Sequence, residues 1–217
     1  MKYLTITIFL LAITFAKSQS GFNSESIEVT RGDLETNYYE KDTTANAIVL
    51  YEYGNSYVDN VSYDLHTEIT KKIKILKRAG FEKATIEEHL YHKNDKREKM
   101  YDISASTFNL EKNGSITFNR LDQEDIFEEK YNENYDLTKF TLPNVHEGSV
   151  ITIKYTISSP YFYKYKEWYF QDDIPKLHSE YHTSIPANWE YHIKLVGFKK
   201  LFKQCFFNFD SCLKSFL

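Results

Sequence analysis

Hydrophobic and polar residues alternate along much of the chain, most strictly over 150–157. In that segment three isoleucines and a tyrosine occupy every second position, and β-branched or polar residues occupy the positions between them. A period of two predicts a strand that buries one face in a sheet. A turn at 144–148 precedes this strand, and Pro160 ends it because proline has no N–H to donate to a neighbouring strand.

Other segments with the same period predict the remaining strands, and short turns separate them. The predicted strands are 47–53, 64–78, 84–91, 100–110, 115–121, 168–171, 179–185 and 189–195. We expect a turn at 54–56 to end the first strand, and the Asn113–Gly114 dipeptide favours a hairpin because it tolerates the positive φ of a tight turn. No long amphipathic pattern lies between residues 47 and 196. The sequence therefore predicts an all-β fold, an antiparallel β-sandwich.

One face of the predicted strand at 64–78 is polar. This face consists of His66, Glu68, Thr70, Lys72 and Lys74. In antiparallel sheets one face commonly packs on the core while the other meets water, so we expect this face to be solvated.

The segment 197–217 follows a different period and forms an atypical tail. Its apolar residues recur three and four positions apart, which predicts a short amphipathic helix, either docked on the sandwich or lying on a membrane surface. The rival expectation is the end of a truncated or frame-shifted gene. Cys205 and Cys212 both lie here; on a helix their Cα atoms would be about 10 Å apart along the axis. That separation excludes a disulfide unless the segment is not helical.

Residues 1–18 have the layout of a cleavable secretory signal. Lys2 precedes an apolar run over 4–16, and Ala16 and Ser18 supply the small residues that a signal peptidase reads. The run is too short for a comfortable membrane span. We expect a secreted or periplasmic protein without a membrane span, in which a polar lead-in at 19–46 precedes the β domain at 47–196.

Composition narrows the function classes. Of 217 residues, 18 are Tyr and 16 are Phe, so rings dominate the predicted core. The formal net charge of −4 offers no concentrated basic surface, and we expect no nucleic-acid partner.

The histidine pairs and the paired carboxylates give no catalytic pattern. His178 and His182 lie four apart on a predicted strand, about 13 Å along it, which is too far for one zinc ion. His89 and His92 lie near a strand end, and we expect the histidines of both pairs to face solvent. The adjacent carboxylates at 128–129 and 172–173 point to opposite faces of an extended chain.

Nucleophilic catalysis also lacks its residues. There is no Gly-x-Ser-x-Gly elbow and no glycine-rich phosphate loop, and no histidine follows the two cysteines. We therefore predict no catalytic residue, no cofactor and no metal site, and hence a protein that is not an enzyme. The alternative is a hydrolase whose site is built from distant carboxylates and histidines.

An aromatic cluster at 161–170 supports a second alternative, a glycan-binding module. Its rings are Tyr161, Phe162, Tyr163, Tyr165, Trp168, Tyr169 and Phe170. Exposed rings form sugar- and partner-binding surfaces. Rings spaced by two on strands are more often part of a core.

Several segments resemble one family, the domain of unknown function that precedes transglutaminase-like domains in secreted bacterial proteins. The segments are 47–54, 102–105, 127–130, 140–145, 147–151, 168–171 and 174–175. The resemblance covers about 47–194 and implies a β-sandwich without catalytic residues. In fuller members a Cys-His-Asp triad lies in the following domain, and no residue here matches it. The resemblance thus implies an exported, non-catalytic accessory or interaction domain whose partner is a transglutaminase-like domain or another exported protein.

Overall fold

The computed structural model describes residues 21–186, 189, 191–197, 201, 203–207 and 210–216, the last two ranges as backbone only. Within these residues the chain folds mainly into β-strands. The helical segments are one short α-helix, α1 (Arg31–Glu35), and two 3-10 helices at Arg78–Ala84 and Gln123–Asp125. The all-β prediction is confirmed. None of the helices in this part of the chain has the length and apolarity needed to cross a membrane.

The described strands form two sheets. In chain order they are β1 (Ala47–Val58), β2 (Leu65–Ile75), β3 (Thr85–Lys93), β4 (Lys96–Arg97), β5 (Lys99–Leu110), β6 (Ile116–Arg120), β7 (Phe127–Lys130), β8 (Tyr135–Thr141), β9 (Val150–Ser159), β10 (His178–Ser184), β11 (Lys203–Phe207) and β12 (Asp210–Phe216). The larger sheet has the order β11-β12-β10-β1-β2-β9-β5-β6, and the smaller has the order β4-β3-β8-β7.

One strand pair departs from the predicted antiparallel arrangement. β1 and β10 pair in parallel, with Glu52 opposite Ser179 and Asn55 opposite His182. A parallel pair needs a long connection between its strands, and here most of the other strands lie between the two in sequence. This pairing was not predictable from alternation, because period two does not specify strand direction.

The two sheets share one hydrophobic core. Ile151, Ile153 and Tyr155 of β9 belong to the same buried cluster as Leu90 of β3 and Phe140 of β8. The strict alternation of β9 therefore does place one face in a core, as predicted. A core shared by two sheets is what a β-sandwich requires, and the sandwich arrangement itself stays a prediction.

The predictions of a turn directly after residue 53 and of strands at 168–171 and 189–195 are wrong. The turn expected at 54–56 is absent, since β1 continues to Val58. The described residues of the predicted strand 189–195 are not in a strand, and 168–171 does not form a strand either. Instead the indole of Trp168 lies directly over Gly54. A Cβ built on Gly54 would lie 2.4 Å from a ring atom of Trp168, so this glycine makes room for the ring rather than for a turn.

The polar lead-in packs on the large sheet. Thr30 caps α1 through a capping box with Asp33, and Asp33 and Leu34 are buried. This segment covers the end of β2, where Lys72 and Lys74 are fully buried. The expectation of a solvated face is therefore wrong at these two lysines, because residues about 40 positions upstream cover them.

The tail is not helical where the structure describes it. β11 and β12 form an antiparallel pair, and β12 adds to the edge of β10. The predicted amphipathic helix is therefore wrong over 203–207 and 210–216. A strand there satisfies the backbone groups along the edge of β10, which a helix would leave unpaired. Phe198, Phe202 and Phe209 of the predicted helical pattern, and the predicted signal at 1–18, lie outside the described residues.

Candidate functional site

A buried ion cluster fastens the loop at 160–177 to the large sheet. In this cluster Oε1 of Glu52, on β1, lies 3.1 Å from Nζ of Lys71. The other carboxylate oxygen, Oε2, accepts hydrogen bonds from Lys176 Nζ and Ser179 Oγ, both at 2.8 Å. Burial alone would raise the pKa of Glu52, but the two lysines outweigh burial and hold that pKa below its usual value. The carboxylate is ionised and fully engaged with groups of its own chain.

Trp168 completes this cluster. Its indole Nε1 donates to Ser179 Oγ at 3.1 Å, and its ring stacks on Tyr181 with centroids 4.9 Å apart and planes 11° apart. The Tyr181 hydroxyl donates in turn to Ser56 Oγ at 2.8 Å. Trp168 therefore anchors the loop to the large sheet.

Most rings of the predicted glycan-binding cluster pack on other rings. The pairs are Tyr161 with Tyr91, Phe162 with Trp189, Tyr165 with Tyr191, and Trp168 with Tyr181. Two rings of the cluster are the most exposed: Tyr163, which meets Tyr161 and Phe162 edge to face, is 67% exposed, and Tyr169 is 65% exposed. A sugar would therefore stack most readily on these two rings, and glycan binding stays a prediction.

His178 and His182 lie on either side of one carboxylate. His178 Nε2 is 3.1 Å from Glu180 Oε2, and His182 Nε2 is 2.5 Å from Glu180 Oε1. His178 and Glu180 are buried, so the expectation of solvent-facing histidines is wrong for His178. The reason is that β10 is an inner strand between β1 and β12, and the ring of Tyr51 packs against His178 with centroids 4.9 Å apart.

The other histidine pair has separate partners. The ring of His89 meets Tyr131 edge to face with centroids 4.5 Å apart, and His92 Nε2 is 3.6 Å from Asp136 Oδ1. Each therefore contacts its own neighbour on the small sheet.

A half-exposed row of rings and polar groups covers the face of the large sheet that points away from the shared core. This tyrosine–histidine face consists of Tyr53, Asn55, Tyr57, His66, Glu68 and Tyr101. Tyr57 stacks on His66 with planes 13° apart, and His66 Nδ1 is 2.6 Å from the Tyr101 hydroxyl. Asn55 Nδ2 and the Tyr57 hydroxyl both donate to Glu68, at 3.0 and 3.3 Å. The lead-in covers the opposite end of the same sheet face.

The adjacent carboxylates predicted to diverge do have different surroundings. Asp173 Oδ2 accepts from Lys83 Nζ at 2.5 Å, whereas Asp172 lies 3.9 Å from Lys176. Burial would lower the pKa of Lys83, but its hydrogen bond to Asp173 raises the pKa above the usual value. Glu128 and Glu129 are exposed on the edge strand β7.

A small polar pocket lies beside Asp173. Its volume is about 190 Å³, below the range of about 300–1,000 Å³ usual for ligand sites. It brings Asp42, Glu82 and Asp173 together with Lys83. The pocket therefore contains carboxylates that are distant in sequence, and none of the histidines lines it.

Sequence reasoning overlooked Glu52 and Glu180 as centres of their clusters. A signal for Glu52 was present, because one carboxylate lies in the otherwise apolar and aromatic run 47–53. A charge in a buried strand requires a partner. The partners Lys176 and Ser179 are more than 120 positions away, so their identity was not readable from the sequence.

Comparisons with known proteins establish a fold likeness. No family model matches the chain, and no curated protein matches it. The chain is similar to the crystal structure of a "putative protease" from Parabacteroides distasonis ATCC 8503, with a TM-score of 0.52 and 10% sequence identity over 78% of this chain and 34% of that chain. The chain thus spans about a third of the length of that protein.

A second solved structure has a weaker likeness. Legionella pneumophila aminopeptidase A in complex with aspartic acid matches 81% of this chain and 20% of its own, at 10% identity and a TM-score of 0.33. That score is too low to indicate a shared fold. The likeness in fold is therefore to the Parabacteroides distasonis structure.

Proposed function

We propose that this chain is an exported, non-catalytic β domain that acts as an interaction module for a transglutaminase-like domain or another exported protein. The observation that supports this proposal is the state of the buried carboxylates on the large sheet. Glu52 is engaged by lysines, and Glu180 is engaged by two histidines. A general acid or base must reach the proton that it transfers, and these groups are directed at their own chain instead.

Two further observations support the accessory role. The solved structure with the same fold is about three times as long as the matching region, so this fold occurs as one part of a larger protein. The tyrosine–histidine face also offers half-exposed tyrosines, a residue type enriched at protein interfaces. We assign the partner contact to this face.

An activity screen on the purified chain tests the non-catalytic part. We expect no peptide hydrolysis, no glycoside hydrolysis and no amine incorporation into glutamine-containing substrates. If turnover is found, the variants Glu180→Gln and Asp173→Asn identify its site, with the exposed Glu128→Gln as matched control. Turnover that disappears in Asp173→Asn but persists in Glu128→Gln would overturn the proposal in favour of a hydrolase.

The exposure of Tyr163 and Tyr169 favours glycan binding as a second candidate function. Affinity electrophoresis in gels that contain soluble polysaccharides measures this directly. Retardation that is lost in the double variant Tyr163→Ala/Tyr169→Ala, yet kept in Tyr38→Ala, would support it. Tyr38 is a suitable control because it is 61% exposed but lies in the lead-in. Equal mobility of all three proteins in every gel would exclude the glycan function.

A further inference from the structure

The backbone register of the C-terminal hairpin brings the two cysteine positions together. Cys205 of β11 and Cys212 of β12 are Cα partners in this antiparallel pair. Partner Cα atoms in antiparallel strands lie about 4.5–5.5 Å apart, and a disulfide requires a Cα separation of about 4.4–6.8 Å. We propose that Cys205 and Cys212 form a disulfide that closes the β11–β12 hairpin.

The sequence allows one pairing of cysteines within a molecule. The chain has two cysteines, so no alternative pairing within one molecule competes with it. Positions directly opposite one another on paired antiparallel strands belong to the same face of the sheet, so the backbone register places both cysteine positions on one face. The helical spacing that excluded a disulfide does not apply, because this segment is a pair of strands.

The chemistry of the bridge is a two-electron oxidation. Each thiol loses a proton and contributes one electron, and a sulfur–sulfur bond forms between the two residues. A disulfide-bearing oxidant accepts the two electrons and the two protons and is released as two thiols. The secretory signal predicted at 1–18 directs the chain to a compartment where such oxidants keep disulfides formed.

The bridge would fix the outer strands of the large sheet. β12 pairs with β10, and Cys212 is the Cα partner of His182 in that pair. A slip of one residue would move every side chain of the hairpin to the other face. The disulfide holds one register and therefore keeps β12 aligned with the strand that carries Glu180.

Thiol counting tests the proposal on the full chain. The purified protein is incubated with oxidised glutathione under native conditions, alkylated with a maleimide in denaturant, and analysed by intact mass. We expect no alkylation and a mass lower by two hydrogen atoms, with two alkylations after reduction. Two free thiols, stable mixed disulfides with glutathione, or a disulfide-linked dimer on a non-reducing gel would each overturn the proposal.

Moving the cysteines by one position tests the register. Phe206 and Ser211 are the next Cα partners in the hairpin. The variant Phe206→Cys/Ser211→Cys in a Cys205→Ser/Cys212→Ser background should also form a disulfide, to an extent that differs from the natural pair because hydrogen-bonded and non-hydrogen-bonded pairs alternate along the ladder. The control Ser211→Cys/Cys212→Ser leaves its two thiols on opposite faces and should keep both free. Bridging that is complete in the control and absent in the in-register pair would contradict the hairpin, and circular dichroism verifies that both variants are folded.

Discussion

Substitution of Asp33 by alanine is the change that most severely tests how the lead-in is attached. The Asp33 carboxylate and the Lys72 ammonium lie 3.2 Å apart, and both side chains are fully buried. Asp33 also accepts hydrogen bonds from the backbone N–H groups of Asn23 and Thr30, at 2.6 and 2.9 Å. Alanine removes all three interactions and leaves the charge of Lys72 buried without a carboxylate.

The expected loss follows from that uncompensated charge. Breaking one side of a buried ion pair costs about 3–5 kcal/mol of unfolding free energy. With a urea m-value of about 2–3 kcal/mol/M, this lowers the urea midpoint by about 1–2.5 M. Fluorescence of Trp168 and Trp189 reports the transition. Removal of both charges in Asp33→Leu/Lys72→Met should recover the part of the loss that is due to the unpaired charge, but not the part due to the lost hydrogen bonds from Asn23 and Thr30.

An exposed ion pair on the same helix supplies the control. Arg31 and Glu35 form an i,i+4 pair whose side chains are 56% and 40% exposed. Glu35→Ala should therefore cost less than about 0.5 kcal/mol. If Asp33→Ala costs no more than Glu35→Ala, the lead-in is not docked over β2 and the reasoning is refuted.

Two other predictions concern the same sheet. Burial lowers the pKa of Lys74 to about 8 against 10.5 in the unfolded chain, so between these values the unfolded state binds the extra proton and stability rises with pH. From pH 7 to pH 9.5 the rise is about 2 kcal/mol, measured by urea unfolding, and it should disappear in Lys74→Met. Gly54→Ala should displace the Trp168 ring and cost about 1–3 kcal/mol, with a red shift of native fluorescence; an unshifted spectrum and an unchanged midpoint would contradict this packing.

Local patterns predicted the strands well where one face is buried by the neighbouring sheet. The alternation of β9 determines which face of the strand is buried, since Ile151, Ile153 and Tyr155 lie on the same face of a strand. The hairpin at Asn113 and Gly114 was also predicted from the dipeptide. In the structure Gly114 has a positive φ of 82°, as a tight turn needs.

The errors arise where a distant segment changes the environment. Lys72 and Lys74 have the pattern of a solvated face, but segments remote in sequence bury them: the lead-in contacts both lysines, and Lys74 also donates to the carbonyl of Gly148. In the tail, spacings of three and four predicted a helix, but the open edge of β10 favours strands. His178 and His182 were noticed in the sequence as a pair, but Glu180 between them was not. His178 is buried because β10 pairs in parallel with β1, and no local pattern encodes that pairing.

We propose that this domain binds its partner through the tyrosine–histidine face. The direct measurement is isothermal titration of the purified chain against a transglutaminase-like protein encoded in the same genome. We expect saturable one-to-one binding that weakens at least about tenfold in Tyr57→Ala/Tyr101→Ala, since truncated interface rings commonly cost more than about 1–2 kcal/mol. Phe118→Ala, which is 55% exposed on β6, should bind as the natural chain does. Binding that is lost in Phe118→Ala but unchanged in Tyr57→Ala/Tyr101→Ala, or no heat with any such protein, would contradict the account.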